Sequence, residues 1–303
     1  MRLLDYEIPV PNRSHRVEIF PFYDTHVGKR NCFEAGIQKQ VQEILRQDAK
    51  EDRTCRVLLG GDTCDFIKPQ DIRYNVDGLA DWFYIPDDGG TVQEKLADIA
   101  TCQVERAAQL FKPVEHLLIG GLCGNHEETI QRRYNTDIQK HLCRAMNMED
   151  LTDECVIRFR FKRGRGTATV KLYMRHGFGG GRTAGAEPAK IERMMSDGVA
   201  ADCDICLTGH SHTFCVNPPE PVLYIPNRGK MPPELLTRYR FGANPGCWLL
   251  SHQVGKATYE SRACYPTRPM MTLKIVIWPF WRSRKKGVDY AQPKIELRDY
   301  RIQ

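Results

Sequence analysis

An α/β fold follows from two features of the sequence. Short apolar stretches ending in glycine or charged residues alternate with amphipathic helical patterns, and five clusters of metal-ligating residue types each stand just after one of those stretches. Val17 to Phe22, Arg56 to Leu59, Leu117 to Leu122, Val170 to Met174 and Asp204 to Leu207 are the predicted central strands. Between them, Val92, Leu96, Ile99, Ala100, Val104, Ala107, Leu110 and Phe111 recur at three- and four-residue steps and predict an amphipathic helix. Glu34 to Ala49 and Thr129 to Met146 read the same way. Strand, loop and helix repeated in this order predict ligands gathered beyond the carboxyl ends of the strands.

After His212 the pattern changes to short β-like pieces, Val222 to Ile225, Trp248 to Ser251, Met271 to Trp278 and Lys294 to Leu297, separated by turns bearing Pro and Gly. Residues 213–303 are expected to complete a second sheet against the first. No fixed-period repeat or low-complexity linker divides the chain, so residues 1–303 are read as a single domain. Phe66 to Gly90, with Trp82, Phe83 and Tyr84, breaks the regularity and reads as a lid or a surface excursion.

A chain of 303 residues with 41% hydrophobic content supports a sizeable core. The net charge of +6 suits an anionic substrate but is too small to establish nucleic-acid binding. Twelve cysteines in a chain this large, some inside the ligand clusters, point to reduced thiols in a cytoplasmic protein rather than a disulfide framework. Cys203 and Cys206 have Cys-x-x-Cys spacing without a second pair, which makes them core thiols. The first residues lack the apolar run of a secretory signal, and no stretch approaches the ~20 apolar residues of a membrane span, so no membrane partner is expected.

The ligand clusters are Asp24-Thr25-His26, Gly61-Asp62-Thr63-Cys64-Asp65, Gly124-Asn125-His126-Glu127, His176-Gly177 and Gly209-His210-Ser211-His212. Alternate residues on an extended strand end point the same way, so Asp24 with His26, and His210 with His212, can each meet one ion. Asp62, flanked by glycines, can bridge two ions through its two carboxylate oxygens. Asn125 offers an amide oxygen, and His126 beside it can reach a scissile phosphate. A lone Asp-x-His or Gly-Asp is commonplace; five of the nine histidines at strand-to-loop junctions are not.

These five blocks, spanning residues 24 to 212, resemble those of the calcineurin-like metallophosphoesterase superfamily. The resemblance implies a two-sheet α/β/β/α sandwich and a pair of divalent ions, Mn²⁺ first, with Fe, Zn, Co or Ni also compatible with mixed nitrogen and oxygen ligands. It assigns Asp24, His26, Asp62 and His212 to one ion and Asp62, Asn125, His176 and His210 to the other. His126 would protonate or stabilise the leaving-group oxygen, with Asp65 orienting it. The reaction so implied is in-line attack on phosphorus by a hydroxide generated between the ions.

Asp24 to Gly28 and Gly60 to Phe66, followed by Lys68-Pro69, are similar to double-strand-break repair exonucleases. Asp65 stands where those nucleases usually carry His, and Glu127 where they carry Asp. Protein serine/threonine phosphatases share Gly-Asn-His-Glu but have Gly where Tyr23 stands. The run from Gly177 to Thr183, with the helical residues Ala189 to Met195 after it, resembles phage-encoded members. Gly179, Gly180 and Arg182 in that run are candidate phosphate contacts, Arg182 with a catalytic role beside the metals.

The expected activity is phosphodiester hydrolysis, with nucleic acid, DNA in particular, as the favoured substrate. One alternative is a phosphomonoesterase acting on phosphoprotein or nucleotide. Another is a metal-stabilised nucleic-acid-binding module, suggested by Arg282, Arg284, Lys285 and Lys286 near Trp278, Phe280 and Trp281. A solvated hairpin turn explains that cluster equally well.

Overall fold

The computed structural model describes residues 1–71, 74–85, 91–179, 183, 185–225, 235–251, 270–285, 288–291 and 293–301. Its framework is set by strands that are apolar on both faces. In β2 (Arg16–Phe22) every residue after the first is buried. Val17 and Ile19, with Tyr23 just beyond the strand, face a core shared with a second sheet, while Phe20 and Phe22 face a layer of helices. β3 (Arg53–Leu59) divides in the same way, Leu58 to the sheet side and Cys55, Val57 and Leu59 to the helix side. Such near-continuous apolar runs are what a sheet covered on both faces requires. Glu18, buried in β2, is neutralised by Arg16 at 2.9 Å, Lys274 at 3.2 Å and Arg53 at 3.3 Å.

The first sheet runs β15 (Lys294–Arg301), β12 (Met271–Trp278), β2, β3, β4 (Leu118–Gly121) and β5 (Glu149–Asp150). β2 through β5 are mutually parallel, and β12 and β15 add antiparallel strands at one side. The second runs β1 (Arg2–Pro9), β6 (Glu154–Arg163), β7 (Gly166–Arg175), β8 (Ile205–Leu207), β11 (Leu236–Asn244) and β10 (Glu220–Tyr224), with β9 (Cys215–Val216) also on β11. Alternate residues of β6 and β7, among them Ile157, Phe159, Val170 and Leu172, close the shared core.

Helices α1 (Glu34–Asp48), α3 (Ile99–Phe111), α4 (Asn125–Tyr134) and α5 (Ile138–Ala145) cover the first sheet. α6 (Ala186–Met195) covers part of the second through Ile191 and Met195. The architecture is thus a two-sheet α/β sandwich flanked by helices. Among the described residues no helix is long and apolar enough to cross a membrane. β13 (Arg282–Lys285) and β14 (Val288–Ala291) pair as a separate ribbon.

Several elements differ from their sequence reading. The helix expected from Val92 to Phe111 is two, α2 (Val92–Ala97) and α3, because Asp98 leaves helical geometry and its carboxylate accepts from the Thr101 N–H as a cap. The helix expected from Thr129 to Met146 begins earlier, at Asn125, and breaks at the left-handed Asn135, after which Asp137 caps α5. Residues 213–303 do not build one sheet: β9, β10 and β11 extend the second, while β12 and β15 extend the first. Trp248 to Ser251 is not a strand; Trp248 stacks on Phe22 with ring centroids 5.0 Å apart. In the excursion after Phe66, Leu79, Ala80 and Phe83 pack with Ile99 as a satellite core, and the Trp82 indole donates to Glu34.

Tyr23 is fully buried against two backbone segments, where a Cβ on Gly60 or on Gly209 would fall within its ring. Its hydroxyl has no hydrogen-bond partner among the described residues. Gly60→Ala and Gly209→Ala are therefore expected to cost about 1–3 kcal/mol each, read as a lower urea midpoint. Tyr23→Phe, which removes a buried unpaired hydroxyl, leaves the midpoint unchanged or higher.

Candidate metal centre

Because β2, β3 and β4 are parallel, as are β7 and β8, five loops leave carboxyl ends of strands drawn from both sheets. Asp24 and His26 follow β2, Asp62 and Asp65 follow β3, Asn125 and His126 open α4 after β4, His176 follows β7, and His210 and His212 follow β8. Asp24, His26, Asp62, His210 and His212 all take the left-handed conformation, with φ between 45° and 69°. That region costs a side-chain-bearing residue ~1–2 kcal/mol. The first two loops offset this by zipping together: Asp24 N donates to Gly61 O at 3.2 Å, His26 N to Asp62 O at 2.9 Å and Val27 N to Thr63 O at 2.9 Å.

Three groups of candidate ligand atoms result, each within 4.8 Å: Asp24, His26 and His212; Asp62, His176 and His210; and His26, Asp62 and His126. Asn125 joins the second group, its amide oxygen 2.7 Å from His210 Nδ1 and 3.2 Å from His176 Nε2. The two sets inferred from the resemblance are thereby brought together. Asp62 Oδ2 lies between them, 3.2 Å from His176 Nε2 and 3.9 Å from His26 Nε2.

The donor set fits divalent cations. His26 Nε2 and His212 Nε2 face each other at 3.2 Å. Burial lowers His26 to about 4 and His212 well below the usual histidine value, so both rings are neutral near pH 7. Two neutral imidazole nitrogens at that distance share one proton or oppose their lone pairs, and a cation between them resolves the conflict. Asp24 Oδ1, 3.6 Å from His212 Nε2, is buried without a hydrogen-bond partner among the described residues. Burial, with Asp62 adding to it, pushes Asp24 up to about 7 despite His176. Burial works against the His176 cation as well, but Asp62 and Asp24 outweigh it and raise that ring to about 10. Its Nδ1–H donates to Gly60 O at 2.9 Å, which aims Nε2 at Asp62.

His126 is held at both ends of its residue. Its backbone N–H donates to Asp62 Oδ1 at 2.9 Å, and its ring Nδ1–H donates to the carbonyl oxygen of Asp65. The sequence reading gave that orienting role to the Asp65 carboxylate. That group instead lies 3.4 Å from His26 Nδ1 and 3.6 Å from Lys29 Nζ, and 3.9 Å from His126 Nδ1. Gly179 is described and exposed, at φ 64° with open space around it, whereas Gly180 and Arg182 lie outside the described residues.

Two supports have no counterpart in the sequence reading. Buried Glu127 accepts three backbone N–H groups, from Thr63 at 2.9 Å, Gly124 at 3.0 Å and Asp62 at 3.1 Å, and so clips the second loop to the third. A Cβ at Gly124 would collide with Asp62 and Glu127, so only glycine permits this approach. Burial first, then Asp62, pushes the Glu127 carboxyl up to about 7. Behind the fifth loop, the Asn244 amide donates to Glu187 at 2.7 Å and to Ser211 at 2.9 Å, and Lys190 donates to Gly209 O at 3.2 Å. These tie α6 to His210 and His212. The Glu127 position falls inside a quoted motif; Asn244, far along the chain, carries no local signal.

The aromatic residues of the tail cluster sit elsewhere. Trp278 and Trp281 lie under Lys294, at 4.8 and 4.6 Å from the ring centroids. The register pairs Ile277 with Val17, placing this group at the opposite end of β2 from Asp24, roughly 20 Å away at about 3.3 Å per residue. Side chains from Arg282 to Lys286 lie outside the described residues. Cys203 and Cys206 are core thiols, which burial pushes up to about 11 and about 12.

No protein-family model and no curated protein matches the chain. Among solved structures it is similar to a conserved uncharacterised protein of Streptococcus pneumoniae TIGR4, described as a predicted phosphoesterase, with 11% identity, a TM-score of 0.32 and coverage of 93% of this chain and 98% of that one. It is also similar to a double mutant of Vps29 from Entamoeba histolytica, with 11% identity, a TM-score of 0.25 and coverage of 94% and 99%.

Glu127→Gln and Glu127→Asp are each expected to cost the metal-free protein about 1–3 kcal/mol of stability, read as a lower urea midpoint. The first loses an acceptor, and the second is too short to reach both loops. Titrating Mn²⁺ into chelator-treated protein raises its thermal midpoint, by about 2.7 kcal/mol of stability at a hundredfold excess over Kd. Asp24→Ala with His212→Ala abolishes most of that rise.

Proposed function

We propose that this protein is a metal-dependent phosphoesterase that hydrolyses phosphodiester bonds in nucleic acid. The observation that carries the reading is the convergence of Asp24, His26, Asp62, Asn125, His176, His210 and His212 in two adjoining sets, with the His126 ring beside Asp62. These sets would hold two divalent cations, Mn²⁺ first, which would supply Lewis-acid polarisation of a phosphoryl oxygen and a nucleophile near neutral pH.

The chain's own residues do the rest. Asp62, facing both sets, fixes their spacing. His126 carries the proton chemistry. Since Nδ1–H is committed to the Asp65 carbonyl, the imidazolium presents its second proton at Nε2, and giving it up leaves a neutral ring with the Nδ1 bond intact. A proton delivered from Nε2 to the leaving alkoxide is worth ~10²–10⁴-fold in rate. Asp65 and Lys29 lie on the far side of His26 and hold that ring's Nδ1 side.

A diester in a nucleic acid suits the net charge of +6. Glu127, which on sequence alone kept the phosphomonoesterase alternative open, is buried behind the loops and makes no distinction between monoester and diester. Of the tail cluster that suggested a pure binding module, Trp278 stands at the other end of the sheet.

The test is hydrolysis by chelator-treated, Mn²⁺-reloaded protein of bis-p-nitrophenyl phosphate, p-nitrophenyl phosphate and end-labelled single- and double-stranded DNA. Diester and DNA cleavage is expected, with kcat about 10²–10⁴-fold lower in His126→Ala and Mn²⁺ content unchanged. Monoester turnover without diester cleavage moves the protein to the phosphatases, and no turnover of any substrate overturns the reading.

A further inference from the structure

We propose that Phe178 is a stacking platform for the nucleobase beside the scissile phosphate, so that the centre selects base-bearing diesters over other diesters; this rests on the phosphodiesterase reading above. Phe178 is two residues past His176 and is 70% exposed, whereas Phe20, Phe22, Phe83 and Phe111 are buried in the core. A large apolar ring left in water at the lip of a candidate reaction centre is unfavourable for folding alone.

The ring is placed rather than loose. Gly209 N donates to His176 O at 2.8 Å, and Gly177 turns at φ 100°, so close to the fifth loop that a Cβ there would come within 2.6 Å of Thr208 Oγ1. The chain entering Phe178 is therefore fixed to the segment that carries His210. On the other side, the Arg175 guanidinium lies over the ring, 5.2 Å from its centroid. Among the described residues no carboxylate lies within ion-pair distance of Arg175. With the guanidinium over the ring, most of Phe178 stays exposed to solvent. Lys190 Nζ, bound to Gly209 O and 3.8 Å from Glu187 Oε1, packs against Gly177, where a Cβ would come within 3.4 Å of it.

An exposed aromatic ring with a guanidinium beside it, two residues past His176, matches the pattern of a planar base attached to phosphates. The Arg175 guanidinium attracts any phosphodiester, but only a substrate with a flat π-face gains from the ring. Phe178 thus bears on which diester is cleaved, while the metal centre bears on whether one is cleaved at all.

Charge-matched substrates separate these roles: end-labelled oligothymidylate, and an oligomer of equal length built from abasic tetrahydrofuran residues. With Mn²⁺-loaded protein, Phe178→Ala is expected to lower kcat/KM on oligothymidylate about 5- to 150-fold and to leave the abasic oligomer within about twofold. Phe178→Trp retains the preference. Binding of the two labelled oligomers to chelator-treated protein, followed by anisotropy, shows the same selective loss. Equal losses on both oligomers, or none, overturn the stacking role while the phosphodiesterase reading stands. Failure of wild type to cleave either oligomer overturns that reading, and the inference with it.

Discussion

Asp62 is the residue through which the centre is assembled. Its backbone carbonyl receives His26, its backbone N–H is held by Glu127, one carboxylate oxygen receives the His126 N–H, and the other faces His176. Loops from β2, β3 and β4 are thus registered to a single side chain. Burial opposes its charge, but His176 and His126 keep the carboxyl well below the usual range, so Asp62 stays anionic among imidazoles. A buried charge persists only when surrounded by partners, and here the partners are the other candidate ligands themselves.

The backbone carries its own cost. Left-handed geometry at Asp24, His26, Asp62, His210 and His212 aims short side chains inward from loops that would otherwise point them along the strands. The hydrogen-bond zipper between the first two loops, the Glu127 clip and the Asn244 contacts to Glu187 and Ser211 hold those conformations from behind. Pre-organisation of this kind fixes the donor atoms before any ligand arrives.

Much of this was legible in the sequence. β2, β3, β4, β7 and β8 all lie within or around the apolar stretches that predicted them, most directly β2, β4 and β8, which are buried nearly throughout. β6 escaped that criterion: Cys155, Ile157, Phe159 and Phe161 alternate with Arg158 and Arg160, a half-buried pattern rather than a run. Asp98 and Asn135 broke helices whose apolar periodicity continues across the break, since capping is decided by a single side chain and a single φ. The structure brings the histidines of the five ligand clusters together with Asp24, Asp62 and Asn125. The supports were not legible, because Glu127 and Asn244 act through backbone amides and amide side chains brought near only by the fold. The division of the C-terminal strands between two sheets is a matter of long-range pairing that no local pattern encodes.

The ring of Tyr23 meets Gly60 from one sheet's loop and Gly209 from the other's. It therefore acts as a spacer whose thickness sets the gap between the two halves of the centre. Positions 23, 60 and 209 form one steric unit, and replacing the spacer by something smaller frees both glycines to become larger. In related chains these three positions should drift as a set, with Tyr at 23 demanding Gly at the other two and a small residue at 23 releasing them.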